Sequence, residues 1–236
     1  MTSNRKPSKT GFFDAVCDWR AGDVAAAVRM RPDFVTALDH IGRTALHVCA
    51  RRAVRDAADV AAALATAKTL VKAGADVNAI QPIKEGDEVF PATALWYALA
   101  WGRNRPLAAY LLKQRADPNH CMFAMAYADD PTSAKLLRRY GAALEETAEG
   151  ETPLIFAARH RRAKFMEWML REGADPNSRD RRGFTALHHA VRRRLPDTTL
   201  RAFKKHGADV LAAAHDGTSV ADLATRAQGR VLGIEP

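Results

Sequence analysis

Residues 183–194 read GFTALHHAVRRR, with two adjacent histidines and three consecutive arginines in one short run. Taken alone, the run suits a metal site, a catalytic pair, a nucleic-acid grip or a scaffold with a charged face. Neighbouring helical residues point about 100° apart, so His188 and His189 cannot chelate one ion together. Leu187 and Ala190 sit three apart with Val191 next to them, which places all three on one helix face. Thr185 suits an N-cap, where its hydroxyl takes an orphan backbone N–H. The run therefore predicts the start of a short amphipathic helix. A second helix follows with Leu200 and Phe203 inward, and Gly207 ends it, as glycines do by adopting positive φ.

The same pattern recurs along the chain. GRTALHVCA (42–50), PATALWYALA (91–100) and GETPLIFAA (150–158) align with GFTALHHAV (183–191). A second set alternates with them: LVKAGADVNA (70–79), LLKQRADPNH (111–120), LLRRYGAALE (136–145), MLREGADPNS (169–178) and FKKHGADVLA (203–212). Thr152 and Thr185 are 33 residues apart. These paired blocks resemble the ankyrin-repeat family, whose pattern is G-x-T-P-L-H-x-A, a short turn, then L-L-x-x-G-A-D-x-N. The resemblance runs from about Asp14 to Ala224. It implies an all-α ankyrin-repeat solenoid of stacked helix-turn-helix repeats with short hairpin fingers, about six to seven repeats including degenerate caps. A lone helix pair cannot bury its apolar face, whereas stacked neighbours make a continuous core.

Read in register, residues 1–11 form a disordered basic tail and 12–224 a single repeat domain. Its units are an N-cap repeat (12–38), then 39–79, 80–119, 120–146, 147–179 and 180–212, and a C-cap repeat (213–224), with 225–236 as a C-terminal tail. In the C-cap, Asp222 replaces the histidine of the family pattern. Three departures stand out. The second repeat carries about nine extra residues within ARRAVRDAADVAAALATAK, which must lengthen a helix or the turn between helices. The finger at 80–91 is about seven residues longer than its counterpart before Thr185. Asn119 runs almost directly into HCMFAMAYADD, so the fourth finger is deleted and repeat four is the expected weak joint. Insertions in such stacks go to loops, frequently on the binding side.

Composition narrows the function. The chain has 236 residues, 47% of them hydrophobic, enough to bury a real core. No apolar run approaches the roughly 20 residues of a membrane span, and the basic N-terminus lacks an apolar signal segment. Three cysteines without CxxC spacing (Cys17, Cys49, Cys121) suit a reducing, cytoplasmic setting and argue against a zinc site. HExxH, a nucleophile elbow and a Gly-rich phosphate loop are all missing, so neither enzyme chemistry nor a metal or other cofactor is expected. Net charge is +9, and residues 150–206 hold 14 Lys/Arg against six Asp/Glu.

The resemblance implies that finger tips and first helices line a concave groove, the usual binding surface. The groove positions are His40, Ile41, Arg43, Arg51 and Arg52, then Glu149, Glu151, Arg159 and His160, then Arg181, Arg182, Phe184, Arg192 and Arg193. Trp101 joins them, beside the long finger. A basic groove attracts a protein partner with an acidic surface, because the planar guanidinium pairs bidentately with carboxylate. Nucleic acid or anionic lipid is the alternative, and plain solubilisation by an arginine-rich composition is a third reading. The partner-binding chain is expected to be a monomer. Thr44, His47, Thr152, Thr185 and His188 are scaffold: the resemblance implies that the histidine of T-x-L-H ties neighbouring turns together. His189 is expected on solvated surface. Trp96, Tyr110, Phe156, Phe165 and Trp168 are expected to pack between repeats. Arg161 and Arg194 replace the family's inter-helix glycine, which costs about 1 kcal/mol each if φ is positive.

Overall fold

The structure is a computed structural model and describes residues 7–85, 88–148 and 150–234. It forms two compact units, one up to Cys121 and one from Met122 onward.

In the N-terminal unit, α1 (Lys9–Cys17), α3 (Ala45–Arg51) and α5 (Ala94–Ala100) form one layer, and α2 (Ala21–Met30), α4 (Ala57–Lys72) and α6 (Arg105–Lys113) form the other. Each first helix packs on its own second helix, and α3 also packs on both α1 and α5. Alanine makes this possible. Ala45, Ala50, Ala63, Ala67, Ala94 and Ala98 are all buried between helices, while Phe12, Leu46, Leu70, Leu95, Leu107 and Leu111 fill the core. Gly102 marks the closest approach, where a Cβ would meet the carbonyl of Ala50. The insertion in the second repeat is absorbed by α4, which runs 16 residues where α6 has nine. The long finger is an antiparallel hairpin of β1 (Gln81–Glu85) and β2 (Glu88–Ala92), in which Pro82 faces Pro91 and Ile83 faces Phe90.

The C-terminal unit repeats the two layers. Its first helices are α7 (Met122–Ala128), α9 (Pro153–Arg159), α11 (Ala186–Arg192) and α13 (Val220–Leu223). Its second helices are α8 (Pro131–Arg139), α10 (Ala163–Arg171), α12 (Asp197–Lys205) and α14 (Arg226–Leu232). Phe165, Phe203, Met122, Met125, Leu137 and Leu154 are fully buried there.

Both tails need correction. Helix α1 begins at Lys9, capped by the Ser8 hydroxyl, which accepts from Gly11 N–H at 3.1 Å; Met1–Lys6 lie outside the described residues. Residues 226–232 form α14, which packs on α12, buries Leu232 and donates from Gln228 Nε2 to the Val191 carbonyl at 3.2 Å. An apolar face at i, i+3 spacing inside a basic segment is too short to read from sequence.

One device closes each helix pair and another joins neighbouring repeats. The turns between first and second helices place a non-glycine residue at positive φ in five pairs: Trp19, Arg103, Asp129, Arg161 and Arg194. In each, the N–H just after it closes back on the first helix, as Arg162 N does on Ala157 O at 2.8 Å. The asparagine of the A-D-x-N block joins neighbours. Asn78 Nδ2 donates to Arg115 O (3.1 Å) while its Oδ1 accepts from Asp117 N–H (2.8 Å), and Asn177 does the same with Gly207 O and Asp209 N–H (3.0 and 2.7 Å).

Candidate partner-binding surface

The finger at 179–185 shows how the sequence builds the surface. Asp180 Oδ1 accepts from Arg182 N–H (2.8 Å) and Phe184 N–H (3.0 Å), and Asp180 N–H donates to Phe184 O (2.9 Å), closing a tight turn with Gly183 at φ +81°. Thr185 then starts α11: its N–H donates to His188 Nδ1 at 3.0 Å. An Nδ1 that accepts leaves the ring proton on Nε2, so His188 is the neutral tautomer. Thr44 and His47 repeat this at 3.1 Å in the N-terminal unit. Burial pushes both histidines below their ordinary range, partly opposed by backbone groups of the next finger, Ala79 and Ala92 for His47 and Thr218 and Ala212 for His188. Thr152 caps α9 through Ile155 N–H at 3.4 Å. At the C-cap repeat, Asp222 takes the histidine's place, accepting from Ser219 N–H at 2.8 Å.

His189 is not solvated. It is buried and its Nε2 meets Asp180 Oδ2 at 2.9 Å. Burial holds its pKa down against Asp180, and Arg192 and Arg159 add to the depression. Phe184 is also not a contact residue: it is 3% exposed and packs on His188 and His189. The guanidinium groups of Arg182 and Arg192 lie over its ring at 4.8 and 5.4 Å. Phe184 is thus a buried floor beneath two arginines. Arg181, Arg182, Arg192 and Arg193 are exposed, and Gly150 lies directly beneath the side chain of Arg181.

Next to them, Arg159 ion-pairs with Glu151 at 2.7 Å, and His160 stacks on Phe156 at 4.3 Å. His160 is depressed by its partial burial and then by Arg159, Arg162 and Arg193, which places those three cations around it. The Nε atoms of Arg159 and Arg162 are buried without a hydrogen bond among the described residues. Glu149 lies outside the described residues. The C-terminal unit therefore gathers Arg159, His160, Arg162, Arg182, Arg192 and Arg193 with two neutralising carboxylates, Glu151 and Asp180.

The expected basic positions of the N-terminal unit separate. Arg43 is withdrawn: it pairs with Asp39 at 2.7 Å, with side-chain exposures of 12% and 7%. Arg52 is half-buried, over the Trp19 ring at 4.3 Å and donating to Cys17 O at 3.2 Å. Arg51 is exposed and lies over Trp101 at 4.7 Å. His40 and Ile41 are exposed at their finger tip. Of the aromatics, Phe165 and Trp168 are buried, while Trp96, Tyr110 and Phe156 are half-buried. Sequence reading missed Asp39 and Asp180 as turn anchors and Arg162 as a neighbour of His160. The D-x-x-G spacing at 39–42 and 180–183 was the available signal for the aspartates.

No described helix is long and apolar enough to cross a membrane, and no group of His, Cys, Asp or Glu among the described residues can hold a metal ion. The stacked pairs, their hairpin fingers and their Thr/His caps define a helical repeat protein. Residues 121–214 match the family description "Ankyrin repeats (3 copies)" and residues 41–81 match "Ankyrin repeat", together more than half of the chain. The chain belongs to the ankyrin-repeat family. Among solved structures it is similar to the human ASB11 ankyrin repeat domain, with TM-score 0.72, 19% identity, and 95% of this chain and 97% of that one covered. It is likewise similar to the ankyrin repeat domain of Bcl-3, a member of the IkappaB protein family, with TM-score 0.71, 21% identity, and coverage of 94% and 96%. No curated protein matches the chain. Ankyrin repeats are generally protein–protein interaction modules and typically non-catalytic.

Proposed function

We propose that the chain is a non-catalytic binding module that holds a partner protein through an acidic surface and thereby regulates or localises it. The observation that carries this reading is the arginine set of the C-terminal unit. Arg182, Arg192 and Arg193 are exposed and make no ion pair among the described residues, and the guanidinium groups of Arg182 and Arg192 lie over the Phe184 ring. A guanidinium already resting against a ring loses less side-chain entropy on binding, and its fork matches carboxylate geometry. Such a surface also steers an acidic partner during encounter. Three free cysteines fit a cytoplasmic setting.

The test compares the full chain with Arg181→Glu/Arg182→Glu/Arg192→Glu/Arg193→Glu. Both are used to capture proteins from native lysate at low and moderate salt, and both are titrated with polyglutamate and with duplex DNA. A protein retained by the wild type and lost by the variant, with polyglutamate binding that the variant lacks, supports the reading. Retention of nucleic acid alone transfers the face to nucleic-acid binding, and identical behaviour of both chains leaves the arginines as solvated surface.

A further inference from the structure

Arg51 and Arg52 are consecutive at the end of α3, and each guanidinium lies over a tryptophan of a neighbouring repeat. The two couples differ in kind. Trp19 is 4% exposed, its indole N–H donates to Cys49 O at 2.8 Å, and Arg52 seals it from outside. Trp101 is 50% exposed, and Arg51 has no carboxylate partner among the described residues. Gly102 allows this juxtaposition, because any side chain there would push α5 away from the end of α3. From Trp101 the aromatic surface continues to Trp96 (6.5 Å between centroids) and on to Phe90 of β2 (5.0 Å). Ile83 lies opposite Phe90 on the hairpin, and all of these except Trp101 are half-buried.

We propose that Phe90, Trp96, Trp101 and Arg51 form a docking platform for an extended segment of a partner protein in which an aromatic or leucine side chain lies beside a carboxylate. The apolar side chain covers Trp101 and Trp96, and the carboxylate takes the free edge of the Arg51 fork. This rests on the partner-binding reading but not on the basic face of the C-terminal unit. Charge argues for the carboxylate. Arg51 already occupies the Trp101 face with a positive charge, so a lysine or a quaternary amine is repelled from the position it would need. Strand addition is weakened as well. With Glu85 paired to Glu88, Pro82–Pro91 and Lys84–Val89 fall at non-hydrogen-bonded pairs, where N–H groups point outward. Proline removes the donor at two of these four positions, so recognition leans on side chains.

The test pans a phage-displayed library of random linear peptides against the full chain, then titrates synthetic copies of the enriched peptides while following tryptophan fluorescence. The expected peptides carry Phe, Trp or Leu within two positions of Asp or Glu. Their affinity falls about tenfold or more in Trp101→Ala and in Arg51→Gln, and less in Trp101→Phe, which keeps a ring but loses most of the fluorescence response. Circular dichroism and urea melts confirm that each variant folds. The quadruple glutamate variant separates the two surfaces: peptides on the platform keep their affinity for it, and peptides on the basic face lose theirs. The proposal is overturned by enriched peptides without an acidic residue, by no enrichment, or by equal binding to the Arg51 and Trp101 variants. Trp101-dependent binding of oligo-dT, or Trp101-dependent dimerisation in sedimentation, overturns it too.

Discussion

The fingers at 39–44 and 180–185 share one backbone and use its aspartate in two ways. In both, the first carboxylate oxygen accepts two N–H groups, from Ile41 and Arg43 in one and from Arg182 and Phe184 in the other. In both, a threonine N–H and a histidine Nδ1 start the following helix. The second oxygen differs. Asp39 gives it to Arg43 within the finger, and Asp180 gives it to His189, one turn into α11. Arg43 and Phe184 occupy the same place in the repeat. Where that place holds arginine, the charge turns inward and stays permanently paired. Where it holds phenylalanine, the aspartate must find a titratable partner, and neighbouring arginines are left outside on an aromatic floor. Arg43 against Phe184, together with Ile41 against Arg182 and Val48 against His189, thus separates a finger that consumes a positive charge from one that displays several.

The comparison breaks first at its floor. Phe184→Ala should lower stability by about 3 kcal/mol or more, since it empties a buried aromatic site, and should also free Arg182 and Arg192. Urea unfolding at pH 7.5 measures the loss. The two aspartates come next and should be unequal. Asp39→Ala strands the mostly buried Arg43 and should cost about 3 kcal/mol, whereas Asp180→Ala leaves a neutral His189 and should cost about 1–2 kcal/mol. Equal losses in the same melts would mean that the partner's identity does not matter.

Acid sharpens the contrast. Burial depresses His47 in the N-terminal unit and both His188 and His189 in the C-terminal unit. A histidine depressed in the folded state is protonated first in the unfolded chain. Its contribution is therefore complete above the unfolded value of about 6.5 and declines as pH falls below it. Burial pushes Asp39 up, but Arg43 and the N–H groups of Arg43 and Ile41 outweigh it; for Asp180, His189 and the N–H groups of Arg182 and Phe184 do the same. Those carboxylates keep their contribution until pH falls through folded values below about 4. Hydrogen exchange at pH 5.5 against pH 7.5, corrected for intrinsic rates, should show the C-terminal unit losing more protection than the N-terminal unit. His189→Gln should shrink that difference. The smallest effect lies at the inter-helix turns. Arg161→Gly and Arg194→Gly relieve side chains at φ 60° and 53° and should each add up to about 1 kcal/mol, read as a raised urea midpoint.

The repeat, its helices and the cap at Thr185 were legible because each rests on local spacing, whereas His47 and His188 were read as ties between turns and not as the Nδ1 acceptors that cap their own helices. The positive φ of Arg161 and Arg194 was legible too, since a family glycine position carries its conformation with it. The direction of Arg43, the burial of Phe184 and the pairing of His189 were not. A position in a repeat fixes which face a residue starts from, but its end point depends on whether a carboxylate or a ring waits one turn away. Arg51 and Arg52 make the same point: Arg52 lies over buried Trp19 and donates to Cys17 O, whereas its identical neighbour Arg51 lies exposed over exposed Trp101.

Helix α14 has a bearing on assembly. The apolar face that joins one repeat to the next is nearly the same from repeat to repeat, so an uncovered one at either end of a stack is an invitation to another molecule. A contact of that kind is head-to-tail and does not close on itself; it propagates into fibres. Through Gln228 and Leu232, α14 covers this face behind α11 and α12, and it turns Arg226 and Arg230 outward. Seven residues that read as a tail thereby keep the apolar face behind α11 and α12 from lying open to another molecule.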